Sequence, residues 1–172
     1  MVGVHHIELL LDEVAEREVT AEWHRLAEAG LPSLALHPHP SNRPHVTVTI
    51  SGDPPEHRDG ALRSLVAATL PLQVELGSLL LFGAGPWVLV RMVVVSEALL
   101  ALHRQVVELL GAPAVPHCRV GHWVPHVSLA RRLDGPAVAR ALEVLSPRVP
   151  IDGRLDRARH WDSGARREEP IG

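Results

Sequence analysis

The sequence predicts a single α+β domain, α/β-like in the order of its elements, in which two similar lobes face a central cleft. Three observations support this fold class. The chain repeats itself at an offset of 81 residues, strand-like and helix-like segments follow in the same order in both halves, and no linker separates the halves. We therefore expect one domain over residues 1–172, with pseudo-repeats over about 1–85 and 86–172.

The repeat is clearest around two short motifs. Residues 44–48 read Pro-His-Val-Thr-Val, and residues 125–129 read Pro-His-Val-Ser-Leu. A Gly-x-Pro lies upstream of each motif at the same distance, beginning at Gly30 and at Gly111. Prolines often precede strands and apolar alternation recurs by chance. The match favours duplication because six positions agree at one offset inside the same order of elements.

Each half begins with an apolar, β-branched run that predicts a strand, at residues 4–11 and 87–95. Apolar residues at helical spacing follow, at about 12–29 and 96–110. A glycine then occupies the C-terminal cap position of each helix, and a proline two residues further on prevents continuation. The first strand and helix are thus predicted alike in both halves.

The remaining elements also come in pairs. Each motif opens a second strand after a loop of about a dozen residues, and a second helix and a third strand complete the half. The predicted ranges are about 45–50 and 126–131 for the second strands, 56–70 and 135–145 for the second helices, and 72–82 and 149–160 for the third strands.

The paired motifs can bring two imidazoles and two hydroxyls together. In a strand, side chains at i and i+2 share a face, about 6.8 Å apart, so His45 lies beside Thr47 and His126 beside Ser128. With approximate twofold symmetry, both pairs can meet in one cleft. Two imidazoles can supply a base and an acid near neutral pH, while hydroxyls donate to phosphate oxygens. The pattern favours displacement at phosphorus without a metal.

These motifs resemble those of the two-histidine (2H) phosphoesterase superfamily, most closely its bacterial 2'-5' RNA ligase-like branch. That family carries two His-x-Thr/Ser-x motifs in a duplicated bilobal fold, and the resemblance covers nearly the whole chain. It implies that His45 and His126 are catalytic and that Thr47 and Ser128 hold the phosphate. An Ala-Arg pair follows the second motif, as in that branch, and makes Arg131 a candidate phosphate contact.

The resemblance also implies a substrate class. Family members open 2',3'-cyclic phosphates or related cyclic phosphodiesters, and some join RNA ends through a 2'-5' linkage. We therefore expect RNA or a nucleotide with a 2',3'-cyclic phosphate as the partner, and neither a cofactor nor a metal. The bacterial relatives usually have a large aromatic residue soon after the first motif, where this chain has residues 49–52, Thr-Ile-Ser-Gly. Aromatic residues make up only 3% of the chain, so we expect little surface for base stacking.

Composition excludes several chemistries. All 17 basic residues are arginines, so a lysine nucleophile, a P-loop lysine and an adenylyl-lysine are impossible, and no tyrosine is available as a nucleophile. The net charge of −3 argues against a basic nucleic-acid coat. There is no membrane-length apolar run, no signal-peptide pattern and only one cysteine. We expect a cytoplasmic protein with no membrane contact and no obligate protein partner.

Five other residues have both a structural and a functional interpretation. Arg43 and Arg132 could contact phosphate or lie in solvent. Arg91 interrupts an apolar strand, where a charge should be paired or face a polar cleft, and an exposed edge is the alternative that we favour. Trp123 is expected in the core, with a wall of the site as the alternative, and Trp161 carries the same ambiguity.

A metal site is the alternative use of the 12 histidines. No recognised zinc spacing occurs, no second cysteine exists, and nothing marks Cys118 as an activated nucleophile. The residues of ligand type that we considered are His5, His6, His37, His39, His117, Cys118 and His122.

The leading hypothesis is a metal-independent 2H-type cyclic phosphodiesterase that acts on 2',3'-cyclic phosphates of RNA ends or nucleotides, with 2'-5' RNA ligation as a further activity. One alternative is a non-catalytic module that binds RNA or nucleotide phosphates. Binding alone would not need both imidazoles, which argues against it. A metal-dependent hydrolase that uses the surplus histidines is the third hypothesis.

Overall fold

The computed structural model describes residues 3–55, 59–147 and 149–172. Within them lie seven strands and four α-helices. The strands are β1 His5–Leu11, β2 His45–Ser51, β3 Leu72–Phe82, β4 Trp87–Val93, β5 His126–Leu133, β6 Ile151–Asp162 and β7 Arg167–Ile171. The helices are α1 Glu13–Glu28, α2 Asp59–Thr69, α3 Glu97–Leu110 and α4 Gly135–Val144. Residues 56–58 of the predicted second helix lie outside the described residues.

The first helix of each half starts and stops on local signals. The Asp12 side chain accepts from the amide of Ala15, and the Ser96 side chain accepts from the amide of Leu99, so both helices have side-chain N-caps. Gly30 and Gly111 follow the two helices with φ of 73° and 92°, a conformation that favours glycine. These signals explain why the predicted and observed ends agree within one residue.

The strands form one antiparallel sheet in the order β1-β2-β5-β4-β3-β6-β7, and β1 also pairs with β6. Six strands therefore pair in a closed order, with β7 outside it. The third strand of each half pairs with the first strand of the other half, because β3 pairs with β4 and β6 pairs with β1. Each three-stranded group, β2-β1-β6 or β5-β4-β3, thus contains strands from both halves.

The two motif strands meet at a pseudo-twofold axis. β2 and β5 pair only through Val46 and Val127, which are the equivalent residues of the two motifs. Both strands also carry the same irregularity: the register along β2 skips Val48, and the register along β5 skips Leu129. Such bulges bend a strand and re-aim its side chains, often next to an active site.

Arg91 is buried, so the prediction of an exposed edge is wrong. Its strand, β4, lies between β3 and β5 and has no free edge. Its Nε donates to the carboxylate of Glu22 in α1 at 2.7 Å, and its Nη1 donates to the Gly77 carbonyl at 2.8 Å. A guanidinium with such partners can be buried, because charge and hydrogen bonds replace the lost water.

The predicted strand order misses β7. Its residues 167–170 read Arg-Glu-Glu-Pro, a composition that lacks the apolar alternation by which strands are recognised. β7 pairs with β6 at the end of the sheet, and charged residues and proline are typical of such edge strands. No helix among the described residues is long and apolar enough to cross a membrane.

Candidate active site

A cleft of about 660 Å³ lies where the motif strands meet. All five residues that the sequence singled out for the site line it. They are His45 and Thr47 from β2, and His126, Ser128 and Arg131 from β5. Its size falls within the range of small-molecule and cofactor sites. The duplicated motifs therefore converge on one cavity.

The backbone holds both imidazoles in the same way. Nδ1 of His45 lies 2.7 Å from the carbonyl oxygen of Arg43, and Nδ1 of His126 lies 2.8 Å from that of Val124. A carbonyl only accepts, so each Nδ1 must carry a proton and donate it. In a neutral ring, Nε2 is then the unprotonated nitrogen and can take a proton from a substrate. Both histidines are thus oriented to exchange protons through Nε2.

Two indoles hold the backbone at the motif hydroxyl residues. Nε1 of Trp123 donates to the carbonyl of Thr47 at 3.0 Å, and Nε1 of Trp23 donates to the carbonyl of Ser128 at 3.0 Å. Each carbonyl lies beside a bulge, where the strand ladder is interrupted. The indoles satisfy these carbonyls, and each comes from the half that does not contain its partner.

Burial is the largest influence on the His126 ring. It lowers the pKa of His126 below the ordinary imidazole value, and the nearby charges of His117, His45 and Arg131 lower it further, while the hydrogen bond to Val124 opposes the shift. A lowered pKa keeps the ring neutral at neutral pH. His126 is therefore suited to accept a proton.

Sequence reasoning missed a buried ion pair in the cleft wall. Glu8 of β1 and Arg159 of β6 both line the cleft, and Nε of Arg159 donates to Oε2 of Glu8 at 2.7 Å. Oε1 of Glu8 lies 3.4 Å from Nε2 of His45. Glu8 interrupts the apolar run of β1, which is the signal that could have found it, whereas Arg159 lies in a strand rich in charged residues and has no such signal.

The cleft is more aromatic than the composition suggested. Phe82, Trp123 and Trp161 all line it, which is three of the five aromatic residues in the chain. Phe82 makes an edge contact with His126, with ring centroids 4.8 Å apart, and Trp161 makes a similar contact with His39 at 5.0 Å. Composition averages over the chain and does not reveal that these rings are concentrated at one place.

The three arginines near the motifs differ in whether they line the cleft. Arg131 is exposed and lines the cleft, so its guanidinium can reach a bound phosphate. Arg132, its neighbour, has a φ of 62° and does not line the cleft. Arg43 forms an ion pair with Glu16 of α1, with a shortest distance of 2.7 Å. Of these three, only Arg131 is placed to contact substrate.

Five further histidines surround the pair at the cleft wall and rim: His6, His37, His39, His117 and His122. Among the described residues, no three His, Cys, Asp or Glu side chains are arranged to hold a metal ion. Cys118 is buried against the cleft, and burial raises the pKa of its thiol to about 11. A thiol that stays protonated at neutral pH is a poor nucleophile.

The arrangement suits in-line displacement at phosphorus. The two Nε2 atoms come from opposite sides of a pseudo-twofold axis, so one imidazole can activate the attacking group while the other protonates the leaving oxygen. Two hydroxyls and a guanidinium lie beside them and can hold the non-bridging oxygens.

Comparison with known proteins identifies the family and the fold. The sequence model of the 2'-5' RNA ligase superfamily matches residues 12–167. A solved structure of Usb1 from Kluyveromyces marxianus is similar, with a TM-score of 0.53 and 11% identity, over 99% of this chain and 98% of that chain. Its structure with uridine monophosphate gives a TM-score of 0.50 and 13% identity over the same shares. No curated protein matches significantly. The predicted fold class and family resemblance are confirmed.

Proposed function

The chain belongs to the 2'-5' RNA ligase superfamily, and from that membership and the cleft geometry we propose that it is a metal-independent cyclic phosphodiesterase. Its substrate is a 2',3'-cyclic phosphate on an RNA end or a nucleotide. The observation that carries the proposal is the convergence of His45 and His126, each with Nδ1 bound to a carbonyl and Nε2 available. A non-catalytic binder would not need two imidazoles held alike.

In this mechanism, water attacks phosphorus while one imidazole removes its proton through Nε2. The other imidazole gives its Nε2 proton to the ribose oxygen as the P–O bond breaks. Thr47, Ser128 and Arg131 stabilise the charge that builds on the non-bridging oxygens. The product is a phosphomonoester. With an RNA 5'-hydroxyl in place of water, the same groups would form a 2'-5' linkage, and the energy would come from the strained cyclic phosphate.

A nucleotide or RNA ligand is supported by the shape and lining of the cleft. Three aromatic side chains line it and can stack on a base. A protein of similar fold, Usb1 from Kluyveromyces marxianus, has been solved with uridine monophosphate.

The single cysteine, which has no disulfide partner, supports a reducing compartment such as the cytoplasm.

The test is a substrate panel assayed in excess EDTA. It contains the 2',3'-cyclic mononucleotides, short RNAs with a 2',3'-cyclic phosphate end, and ADP-ribose cyclic phosphate, and the position of the phosphate in the product is determined. We expect turnover of at least one member that is unaffected by the chelator. Binding without turnover would support the non-catalytic module, and activity lost in EDTA and restored by a divalent metal would support the metallohydrolase.

A further inference from the structure

The two halves of the site differ at one pair of equivalent positions. Glu8 of β1 is the register partner of Thr47, and Val90 of β4 is the register partner of Ser128. Directly opposed residues on neighbouring strands share a face, so Glu8 and Val90 hold corresponding places beside the two motifs. The first half therefore has a carboxylate where the second half has an isopropyl group.

The two oxygens of Glu8 face different partners. Oε2 accepts from Nε of Arg159 at 2.7 Å, while Oε1 lies 3.4 Å from Nε2 of His45 and 3.7 Å from Nδ1 of His6. The 3.4 Å separation is longer than an ordinary N–H···O hydrogen bond, so the Nε2 proton of His45 remains available to a substrate. At this distance the carboxylate still attracts a positive charge on the ring.

The carboxylates near His45 outnumber the guanidinium that pairs with them. Arg159 pairs with two carboxylates, Glu8 and Glu168, so one guanidinium faces two negative charges. Burial lowers the pKa of His6, the other imidazole beside Glu8, although the charge of Glu8 opposes this shift. His45 lies closer to Glu8 than His6 does, with Nε2 at 3.4 Å from Oε1. Glu168 is half-exposed, so solvent screens part of its contribution.

Groups on the other side of the cleft oppose a positive charge on His45. The titratable and charged groups there are His126 and Arg131 of β5, and His117 and His122 of the preceding loop. The loop before β2 adds His37 and His39, and Cys118 completes the set. Among the described residues that line the cleft, Glu8 is the only carboxylate, and it lies beside His45. His126 has Phe82 at its edge instead.

We propose that Glu8 is a positioning residue that holds the positive charge on His45, so that His45 starts turnover as the proton donor and His126 as the proton acceptor. The inference rests on the proposed function and assigns its two roles. Water gives one proton to Nε2 of His126 as its oxygen bonds to phosphorus. The bond from phosphorus to the ribose oxygen breaks, and that oxygen receives the proton from Nε2 of His45. His45 ends neutral and His126 protonated, and solvent restores both.

The kinetic test compares Glu8→Gln with Glu22→Gln on a 2',3'-cyclic mononucleotide. Both glutamates are buried and paired with a buried arginine, but Glu22 does not line the cleft. In Glu8→Gln we expect the alkaline limb of the kcat/KM profile to move down by about one pH unit, with about a tenfold loss at alkaline pH and little change on the acid side. In Glu22→Gln the limbs should stay in place.

A merely structural role for Glu8 would lower the rate by the same factor at every pH. A shift of the acid limb would instead make His45 the proton acceptor. Either result overturns the proposal, while absence of turnover in the wild type would count against the proposed function.

An NMR titration of the ring carbons tests the charge assignment without any turnover. The signals are assigned by comparison with His45→Gln and His126→Gln. In the wild type, we expect His45 to keep its positive charge to a higher pH than His126. The difference should shrink in Glu8→Gln. If Glu8→Gln does not fold, the wild type still decides the matter by the order in which the two rings lose their charge. If His126 stays protonated to the higher pH, the proposal is contradicted.

Discussion

The motif in β2 and the motif in β5 are held by the same backbone contacts but surrounded by different side chains. In both, Nδ1 donates to the carbonyl two residues upstream, and an indole from the other half caps the carbonyl of the hydroxyl residue. Beside the first motif lies the Glu8–Arg159 pair, and beside the second lies Phe82. The backbone contacts at the two motifs are therefore alike, while the charges of the side chains around them differ.

Replacing either histidine with alanine should have the largest effect on this comparison. If the two imidazoles act as one acid–base pair, His45→Ala and His126→Ala should each lower kcat by about 10²- to 10⁴-fold. The double variant should lose little more than the worse single variant, because groups that act as a unit are not additive. The measurement is turnover of a cyclic mononucleotide in EDTA. His24→Ala, on the exposed side of α1, is the control.

Near-normal activity in both single variants would exclude acid–base catalysis by this pair. A large loss in only one variant would mean that the two copies have diverged in function as well as in charge.

Exchanging the hydroxyl residues between the motifs tests their equivalence. Thr47→Ser and Ser128→Thr keep a hydroxyl and should keep most of the activity. Thr47→Val and Ser128→Ala remove it, and each should cost about tenfold to a hundredfold in kcat/KM, since a hydrogen bond to a charged group contributes about 1.5–3 kcal/mol. Kinetics of all four variants on one substrate provide the comparison. Equal losses in the exchanged and the deleted variants would show that packing, rather than the hydroxyl, is required.

The fold was predictable because its signals are local. Glycine caps and the two periodicities of apolar residues mark ten of the eleven helices and strands within the described residues. The exchange of third strands between the halves was not predictable, since it depends on contacts between residues far apart in sequence. The added strand β7 was missed for a related reason: it is charged and becomes a strand only by pairing with β6.

The site was predictable only in part. The motif repeat pointed to the five residues that line the cleft at the motifs, but it said nothing of Glu8, whose partner Arg159 is 151 positions away. The sequence predicted an exposed edge for Arg91, which is wrong because its counter-ion, Glu22, lies on a helix that only folding brings near. Charged residues inside apolar strands can be found from sequence. Whether each has a buried partner or a free edge depends on the tertiary structure.

Arg131 and Arg132 offer a sharper comparison between neighbours. Arg131→Gln should lower kcat/KM by about tenfold, because Arg131 lines the cleft and its guanidinium can pair with a phosphate oxygen. Arg132→Gln removes the same charge one residue away, from a side chain outside the lining, and should change kcat/KM less than twofold. Assays at two salt concentrations separate contact from long-range attraction. Equal losses in both variants, abolished by salt, would contradict a direct contact.

The smallest expected effect concerns the two indoles that cap the motif carbonyls. Trp123, which caps Thr47, stacks on the buried His103 ring, with centroids 4.2 Å apart and planes within 2°. Nε2 of His103 donates to the carbonyl of Cys118 at 2.9 Å. Trp23, which caps Ser128, has no such titratable partner among its ring contacts in the described residues. Protonation of His103 at acid pH should therefore weaken the packing of the indole that caps the carbonyl of Thr47.

Burial lowers the pKa of His103 below the ordinary value of 6.5, whereas in the unfolded chain it returns to that value. Between the two, the unfolded chain binds the extra proton, so the contribution of His103 to stability is complete above about pH 6.5 and is lost as the pH falls below it. His103→Gln can still donate to Cys118 but cannot titrate, and it should cost about 1 kcal/mol at pH 7 through the lost stacking. Denaturant unfolding from pH 7 to pH 5 should show the free energies of unfolding of the wild type and of His103→Gln converging. Proton uptake by His103 in the unfolded chain lowers only the wild-type value. Parallel curves would mean that His103 is protonated in the folded protein as easily as in the unfolded chain, and that its stack on Trp123 tolerates the charge.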